Sequence, residues 1–190
     1  MRRDLDFYET ANWQVDALVD NLPELCGTVF CPCVGDGSLM RQLSRRRPDL
    51  TFITNDIDPA REAHFHGDAT DAWHWGRIVQ QHGRPDWVVE NPPFNVEIQI
   101  LKNAYDAAMF GVSLMARVSF AEPTADRGPW LSEHPYSQRI TLERYSFTGN
   151  GKSDSATTDW LTWVTGTELS RPLGISAYGY KHRKPLERTA

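Results

Sequence analysis

Cysteine is scarce in this 190-residue chain, which has three: Cys26, Cys31 and Cys33. An odd count behind an opening Met1-Arg2-Arg3-Asp4-Leu5-Asp6, which carries no apolar run and so no secretory signal, excludes a disulfide framework. Cys31-Pro32-Cys33 has no second cysteine or histidine pair to complete a zinc site, so no metal is expected. Long hydrophobic runs are also missing. Stretches such as Asp86-Trp87-Val88-Val89-Glu90 are broken by charge far short of the ~20 residues a bilayer span needs, so no membrane association and a cytoplasmic setting are expected. Positive charge is in deficit as well, with 20 Lys and Arg against 25 Asp and Glu for a net charge of -5. A protein relying on general phosphate neutralisation would be basic, so any nucleic-acid contact here has to be local.

What is present is enough for one folded domain over residues 1–190, since 40% hydrophobic residues supply a core at this length. From about Thr10 to Val118, helix-like and strand-like segments alternate, which indicates an α/β domain with a mostly parallel sheet. Thr10 is placed to cap a first helix with the apolar face Trp13, Ala17, Leu18 and Leu22, before Pro23. Val29 to Cys33 reads as a strand, and Ser38 to Leu43 as a helix closed by Arg45-Arg46-Arg47 and Pro48. The arginines suit either the helix C-terminus or a phosphate. Leu50 to Thr54, His64 to His66, Asp86 to Glu90 and Val112 to Val118 follow as strands. Between them lie helices marked by Trp75, Ile78, Val79 and His82, and by Leu101, Ala104, Tyr105, Ala108 and Met109, the latter ended by Gly111. Residues 121–139 read as a long irregular loop suited to target recognition. Ile140 to Phe147 and Trp160 to Val164 form two closing strands around the turn Gly149 to Asp154, and residues 181–190 form a tail. The expected fold is Rossmann-like: a seven-stranded mostly parallel sheet with helices on both faces and a closing antiparallel hairpin.

Three places carry chemistry. Gly35-Asp36-Gly37, between the first strand and the next helix, makes a turn that a ligand can approach without meeting a Cβ. Asp56 ends the following strand, where a carboxylate accepts both hydroxyl protons of a ribose. The third glycine of a dinucleotide fingerprint is missing, so a ribose-bearing ligand without pyrophosphate fits better, and S-adenosylmethionine is one. Asp68 suits either its adenine amino group or a helix cap. Asn91-Pro92-Pro93-Phe94 is the strongest signal. An Asn oxygen and a proline carbonyl can accept both hydrogens of an NH2 group while Phe94 stacks on the attached ring. Holding both protons favours a pyramidal nitrogen whose lone pair leaves the ring and points at an electrophilic methyl group. A Pro-Pro strand terminator with a core Phe is the structural alternative.

With these segments in order, the sequence resembles the S-adenosylmethionine-dependent amino-methyltransferases, and among them the adenine-N6 DNA methyltransferases of phage or bacterial type. Asp6-Phe7-Tyr8-Glu9-Thr10 is similar to their N-terminal cofactor segment, and Pro32-Cys33-Val34-Gly35-Asp36-Gly37 to their first motif. Asp56-Ile57-Asp58-Pro59 resembles the ribose-binding acid, Gly67-Asp68 the adenine-contacting acid and Asn91 to Phe94 the catalytic tetrad. The resemblance implies that Tyr8, Thr10, Cys33, Gly35, Asp36, Gly37, Asp56, Ile57, Asp68, Ala69 and Asn91 hold the cofactor. Asn91, Pro92, Pro93 and Phe94 would carry the reaction. Cys31 stands where many relatives have an acid, and a large target-recognition domain is missing. The same tetrad serves methylation of RNA bases, at adenine N6 or guanine N2, and of protein glutamine amides, while a silent binding module is the alternative from another class. For DNA, the adenine has to leave the helix. Phe94, Arg127, Trp130, Tyr136, Arg139 and Lys152 are the candidates to hold it, although Trp130 serves equally well as a packing lid. A homodimer or an accessory recognition subunit is expected to add contacts, because Arg127, Gln138 and Arg139 alone can read few base edges.

Overall fold

The computed structural model describes residues 9–143, 157–165 and 176–179. Helix α1 (Asn12–Asn21) buries Gln14, Val15, Ala17 and Leu18. Thr10 does not cap it: the flanking residue is Ala11, whose N–H donates to Gln14 Oε1 at 2.8 Å. The helix face is set from the other side of the core, where Trp160 Nε1 donates to the Gln14 carbonyl at 2.8 Å, so Trp13 is only half-buried. Strand β1 (Thr28–Cys31) leads to α2 (Ser38–Arg46), whose arginines are engaged in ion pairs. Arg46 pairs with Asp16 at 2.5 Å and Asp20 at 2.8 Å on α1, and Arg47 with Asp49 at 2.6 Å. Arg46, with Arg45 at 3.5 Å from Asp16, pins α2 on α1, while the Arg47 pair is local to the turn after α2.

Strands β2 (Thr51–Asp56) and β3 (Phe65–His66) precede α3 (Ala72–His82), which is capped by Asp71 accepting the Trp73 N–H. Asp68 is therefore not the helix cap; its carboxylate accepts the Thr70 N–H and hydroxyl, each at 2.8 Å. Next come β4 (Trp87–Glu90) and α4 (Glu97–Ala107). Arg84 ends α4 by donating to the carbonyls of Asp106, Ala107 and Ala108 at 2.7 to 3.1 Å, satisfying acceptors the last turn leaves open. Gly111 is thus not the terminator: it is the first residue of β5 (Gly111–Arg117), and Met109 is exposed rather than on the buried face.

The stretch read as irregular begins with a 3-10 turn (Val118–Ala121) and contains α5 (Gly128–Glu133), with Pro129 in its first turn. Strands β6 (Gln138–Leu142), β7 (Thr158–Val164) and β8 (Ser176–Gly179) complete the chain. The turn Gly149 to Asp154, the tail 181–190, Tyr8 and Lys152 lie outside the described residues.

All strands join one sheet in the order β3-β2-β1-β4-β5-β7-β6-β8. The first five pair in parallel, and β7 runs antiparallel to both β5 and β6. The sheet has eight strands against the seven expected, because Ser176–Gly179 is a four-residue edge strand without the alternation that marks a longer one. Period-two alternation builds two cores. Phe30, Val88, Val112 and Leu114 face α3 and α4, while Val29, Trp87, Val89 and Met115 face α1 and α2. The order reverses between β1 and β4, and in open α/β sheets ligands bind at such a reversal, outside the carboxyl ends. Among the described residues no helix is long and apolar enough to cross a membrane.

Gly111 shows how closely the strands pack. A Cβ there would lie 2.5 Å from Trp87 Cζ3 and 2.6 Å from the Trp163 carbonyl oxygen. Gly111→Ala is expected to destabilise the fold by about 1 to 3 kcal/mol through overpacking. Thermal unfolding checks this, and an unchanged Tm would contradict it.

Candidate functional site

The site is built at the carboxyl ends of β1, β2 and β4. After β1 the chain turns through Gly35 (φ +57°) and Gly37 (φ +76°), backbone that other residues adopt only with strain. The Gly35 N–H donates to Asp56 Oδ2 at 2.7 Å, and Asp56 Oδ1 accepts the Asp58 N–H at 2.9 Å. Two of the carboxylate's roughly four lone-pair sites are used in this way. Beside it Ile57 holds its side chain out at 57% exposure. An acceptor carboxylate next to an uncovered aliphatic surface suits a nucleoside, with hydroxyls on the first and the flat base on the second.

Asn55 was not singled out in the sequence, yet it ties the expected motifs together. Fully buried, it donates from Nδ2 to the Pro32 carbonyl at 2.9 Å and the Gly67 carbonyl at 3.0 Å, while its Oδ1 meets His74 Nε2 at 2.7 Å. Burial, with Arg77 nearby, lowers the His74 pKa. Ala69 is buried, and its carbonyl accepts Trp75 Nε1 at 2.7 Å; Asp68 is exposed.

The tetrad leaves β4 directly. Asn91 Nδ2 donates to Thr10 Oγ1 at 3.1 Å, the Thr10 N–H donates to Ser38 Oγ at 3.2 Å, and the Ser38 N–H donates to Asp36 Oδ1 at 2.8 Å. This chain of bonds runs from the glycine turn to the tetrad and fixes the orientation of the Asn91 amide. Its middle member, Ser38, had no sequence signal beyond its place at a helix start. Pro92 is buried, and the Pro93 carbonyl accepts the Val96 N–H at 3.1 Å. Over the half-buried Phe94 ring lies the Arg117 guanidinium, 4.6 Å from the centroid.

The residues expected to read a target are engaged inside the protein. Arg127 donates to the carbonyls of Glu122 at 3.0 Å and Ser119 at 2.7 Å. Arg139 pairs at 2.7 Å with Asp159, which is fully buried, and Gln138 donates to the Asn21 carbonyl at 2.9 Å. Trp130 stacks on His134 at 4.4 Å and meets Tyr105 edge-on at 5.5 Å, and Tyr136 lies edge-on to Trp163 at 6.2 Å. The lid reading of Trp130 is the one this packing matches. Among the described residues no cluster of three or more His, Cys, Asp or Glu is arranged to hold a metal.

Two acids beside the tetrad went unnoticed in the sequence: Glu90, the last residue of β4, and Glu97, the first of α4, at 1% and 7% exposure. Burial, reinforced by the charge of Glu97, holds the Glu90 carboxyl well above the usual carboxylate range. Burial also pushes Glu97 up to about 8 against the opposing pull of Arg127 and Arg117, and Cys31 up to about 12, with Glu90 adding to it.

No known family profile matches the chain, and no curated protein matches it in sequence. Solved structures do match. A Listeria monocytogenes protein assigned as a class I S-adenosylmethionine-dependent methyltransferase superposes with a TM-score of 0.58 at 11% identity, over 90% of this chain and 67% of that one. The rRNA methyltransferase AviRa of Streptomyces viridochromogenes gives a TM-score of 0.58 at 13% identity, over 84% and 86%. The chain has a methyltransferase fold. An O-methyltransferase of Bacillus cereus, solved with S-adenosylhomocysteine, gives 0.54 at 9% identity over 85% and 84%. At such identities the likeness is one of architecture, and the acceptor has to be argued from the site.

Glu97 makes the site's electrostatics testable. Its unfolded carboxyl ionises near 4.5 and its folded one near 8. Between those values the native state holds a proton that the unfolded state has lost, so stability falls as pH rises from about 4.5 to 8 and levels off above. Glu97→Gln is expected to flatten that slope and to raise the free energy of unfolding relative to wild type at pH 8 by on the order of a few kcal/mol. Parallel slopes for the two proteins between pH 5 and 8 would contradict the assignment.

Proposed function

We propose that the chain is an S-adenosylmethionine-dependent methyltransferase acting on an exocyclic amino nitrogen, adenine N6 in DNA. The observation that carries the reading is Asn91 locked by Thr10 at the end of β4, at the head of Pro92-Pro93-Phe94 and across the strand reversal from the glycine turn. Asp56, Gly35, Gly37 and Ile57 fit the nucleoside part of the cofactor, with Asp36, Asp68 and Ala69 around it. When bound, S-adenosylmethionine supplies an electrophilic methyl group.

The protein's own residues do the rest. With its nitrogen donating to Thr10, the Asn91 amide presents Oδ1 on its opposite side as an acceptor for one amine hydrogen. The Pro92 carbonyl takes the other, because the Pro93 carbonyl carries the Val96 N–H. Both acceptors strengthen as the nitrogen gains positive charge, so they act chiefly in the transition state. Phe94 stacks the base, and Arg117, laid over the ring, adds a cation suited to a phosphate flanking it.

Asn91→Ala is expected to leave cofactor affinity within about twofold and to lower kcat by roughly 100-fold, since it removes an interaction made in the transition state. Asp56→Ala is expected to do the reverse, weakening cofactor binding about tenfold through the lost hydroxyl acceptor. Calorimetry and single-turnover rates separate the two effects. Unchanged turnover in the Asn91 variant would remove the proposed role.

With Arg127, Gln138 and Arg139 committed to internal contacts, few side chains remain to read base edges, each such contact giving ~1 to 3 kcal/mol of discrimination. The isolated chain is expected to methylate adenine in a short or degenerate context, to prefer single-stranded or easily opened DNA, and to gain specificity only from a second subunit or an accessory chain. Mapping methylated adenines along a long random DNA tests this; a strict site of six or more bases would contradict it.

A further inference from the structure

Among the described residues, Glu90 is a buried acid at a strand tip to which the proposed reaction gives no part. Neither of its carboxyl oxygens has a hydrogen-bond partner among the described residues, and Glu97 Oε2 is likewise without one. Glu97 on α4 acts on Glu90, and Glu90 in turn acts on Cys31 at the end of β1 and on Cys33 in the loop beyond. Each of these is neutral or negative. The cations Arg127, before α5, and Arg117, at the end of β5, act on Glu97. An acid buried among acids and thiols carries a desolvation cost that nothing among the described residues offsets, and a group in that position calls for an explanation such as a ligand. What is lacking is positive charge. Beside Glu90 are Cys33, two residues before Gly35, and Asn91, the next residue along, so a cation that offsets its charge fits between the glycine turn and the tetrad.

The methyl donor assigned to this site brings one fixed positive charge there, on its sulfonium sulfur. That charge has no N–H to donate, so it calls for a nearby negative charge rather than for hydrogen-bond geometry, and in a low-dielectric interior such a charge acts without direct contact. We propose that Glu90 is the buried counter-charge of the sulfonium, releasing its proton when the donor binds and taking one back when the sulfur becomes neutral. The balance closes. The nitrogen lone pair forms the N–C bond, the C–S bond breaks with its electrons going to sulfur, and the methylated nitrogen gives up one proton. The Glu90 carboxylate, no longer facing a cation, regains one proton. Burial raises the Glu90 carboxyl above the usual carboxylate range and so disfavours its charged form, which a nearby cation would favour.

This inference rests on S-adenosylmethionine being the cofactor, and its test separates the two. Calorimetric titration of the full chain at pH 7, in two buffers of different ionisation enthalpy, counts the protons released with S-adenosylmethionine and with S-adenosylhomocysteine. The two ligands share their amino-acid and nucleoside ends and differ in the methyl group and the charge on sulfur, so ionisations at the shared ends cancel. The expected result is close to one more proton released with S-adenosylmethionine. In Glu90→Gln, which has the shape of the protonated acid, that difference should vanish and the preference for S-adenosylmethionine over S-adenosylhomocysteine should fall about tenfold. Equal proton counts in the wild type, or a difference that survives in Glu90→Gln, would overturn the proposal and leave the cofactor reading standing. Failure of both ligands to bind would overturn both. The wild-type comparison decides the matter even where the variant does not fold.

Discussion

The bond from the Gly35 N–H to the Asp56 carboxylate, 2.7 Å long, holds the site in register. It joins the turn after β1 to the end of β2 and thereby sets where any ligand lying over the strand reversal meets both backbone and carboxylate. Asn55, one residue earlier, repeats the device to the Pro32 and Gly67 carbonyls. The Asp36, Ser38, Thr10 and Asn91 chain extends it across β1 to β4. Glycine turn and tetrad, far apart in sequence, are in this way parts of one hydrogen-bonded edge, and a shift of either would break bonds shared with the other. Such coupling is what methyl transfer requires, because the amine and the methyl carbon have to meet in line and at contact distance.

Much of the fold is legible in the sequence, because its parallel strands are short apolar runs between amphipathic helices, and the punctuation by Gly35, Gly37, Pro59 and Pro92 follows strand ends while Pro48 follows a helix. The errors have local causes. Thr10 looks like a helix cap because its type and place are right; Gln14 does that work from within the helix, and Thr10 turns to Asn91. Gly111 looks like a helix stop, but Arg84 ends α4 from 22 to 24 residues upstream, a long-range bond with no periodic signature. The glycine is instead required by Trp87 and Trp163. The edge strand Ser176–Gly179 is too short to announce itself.

The site divides in the same way. Candidates that stand at a strand end with a suitable side chain, such as Asp56 and Asn91, could be picked out one by one. Asn55, Ser38, Arg117, Glu90 and Glu97 could not, since each matters only through a partner distant in sequence or through burial. The arginines of the 121–139 segment show the converse: side chains that look available for phosphates or bases are taken by backbone carbonyls and by Asp159. The packed aromatic cluster of Trp130, His134, Tyr105 and Tyr136 gives that segment a structural purpose. Sequence discrimination therefore has little to stand on within the described residues, whereas the proposed capture of a planar amine would rest on Asn91, Pro92, Phe94 and Arg117.

The central claim is that this edge transfers a methyl group to the amino nitrogen of adenine. It is tested most directly by incubating the chain with methyl-labelled S-adenosylmethionine and matched single-stranded DNA, RNA and protein acceptors, then hydrolysing each to its monomers. The account predicts label in N6-methyl-2′-deoxyadenosine. Label confined to another base, to an oxygen or to a protein side chain, or absent from every acceptor, would contradict it.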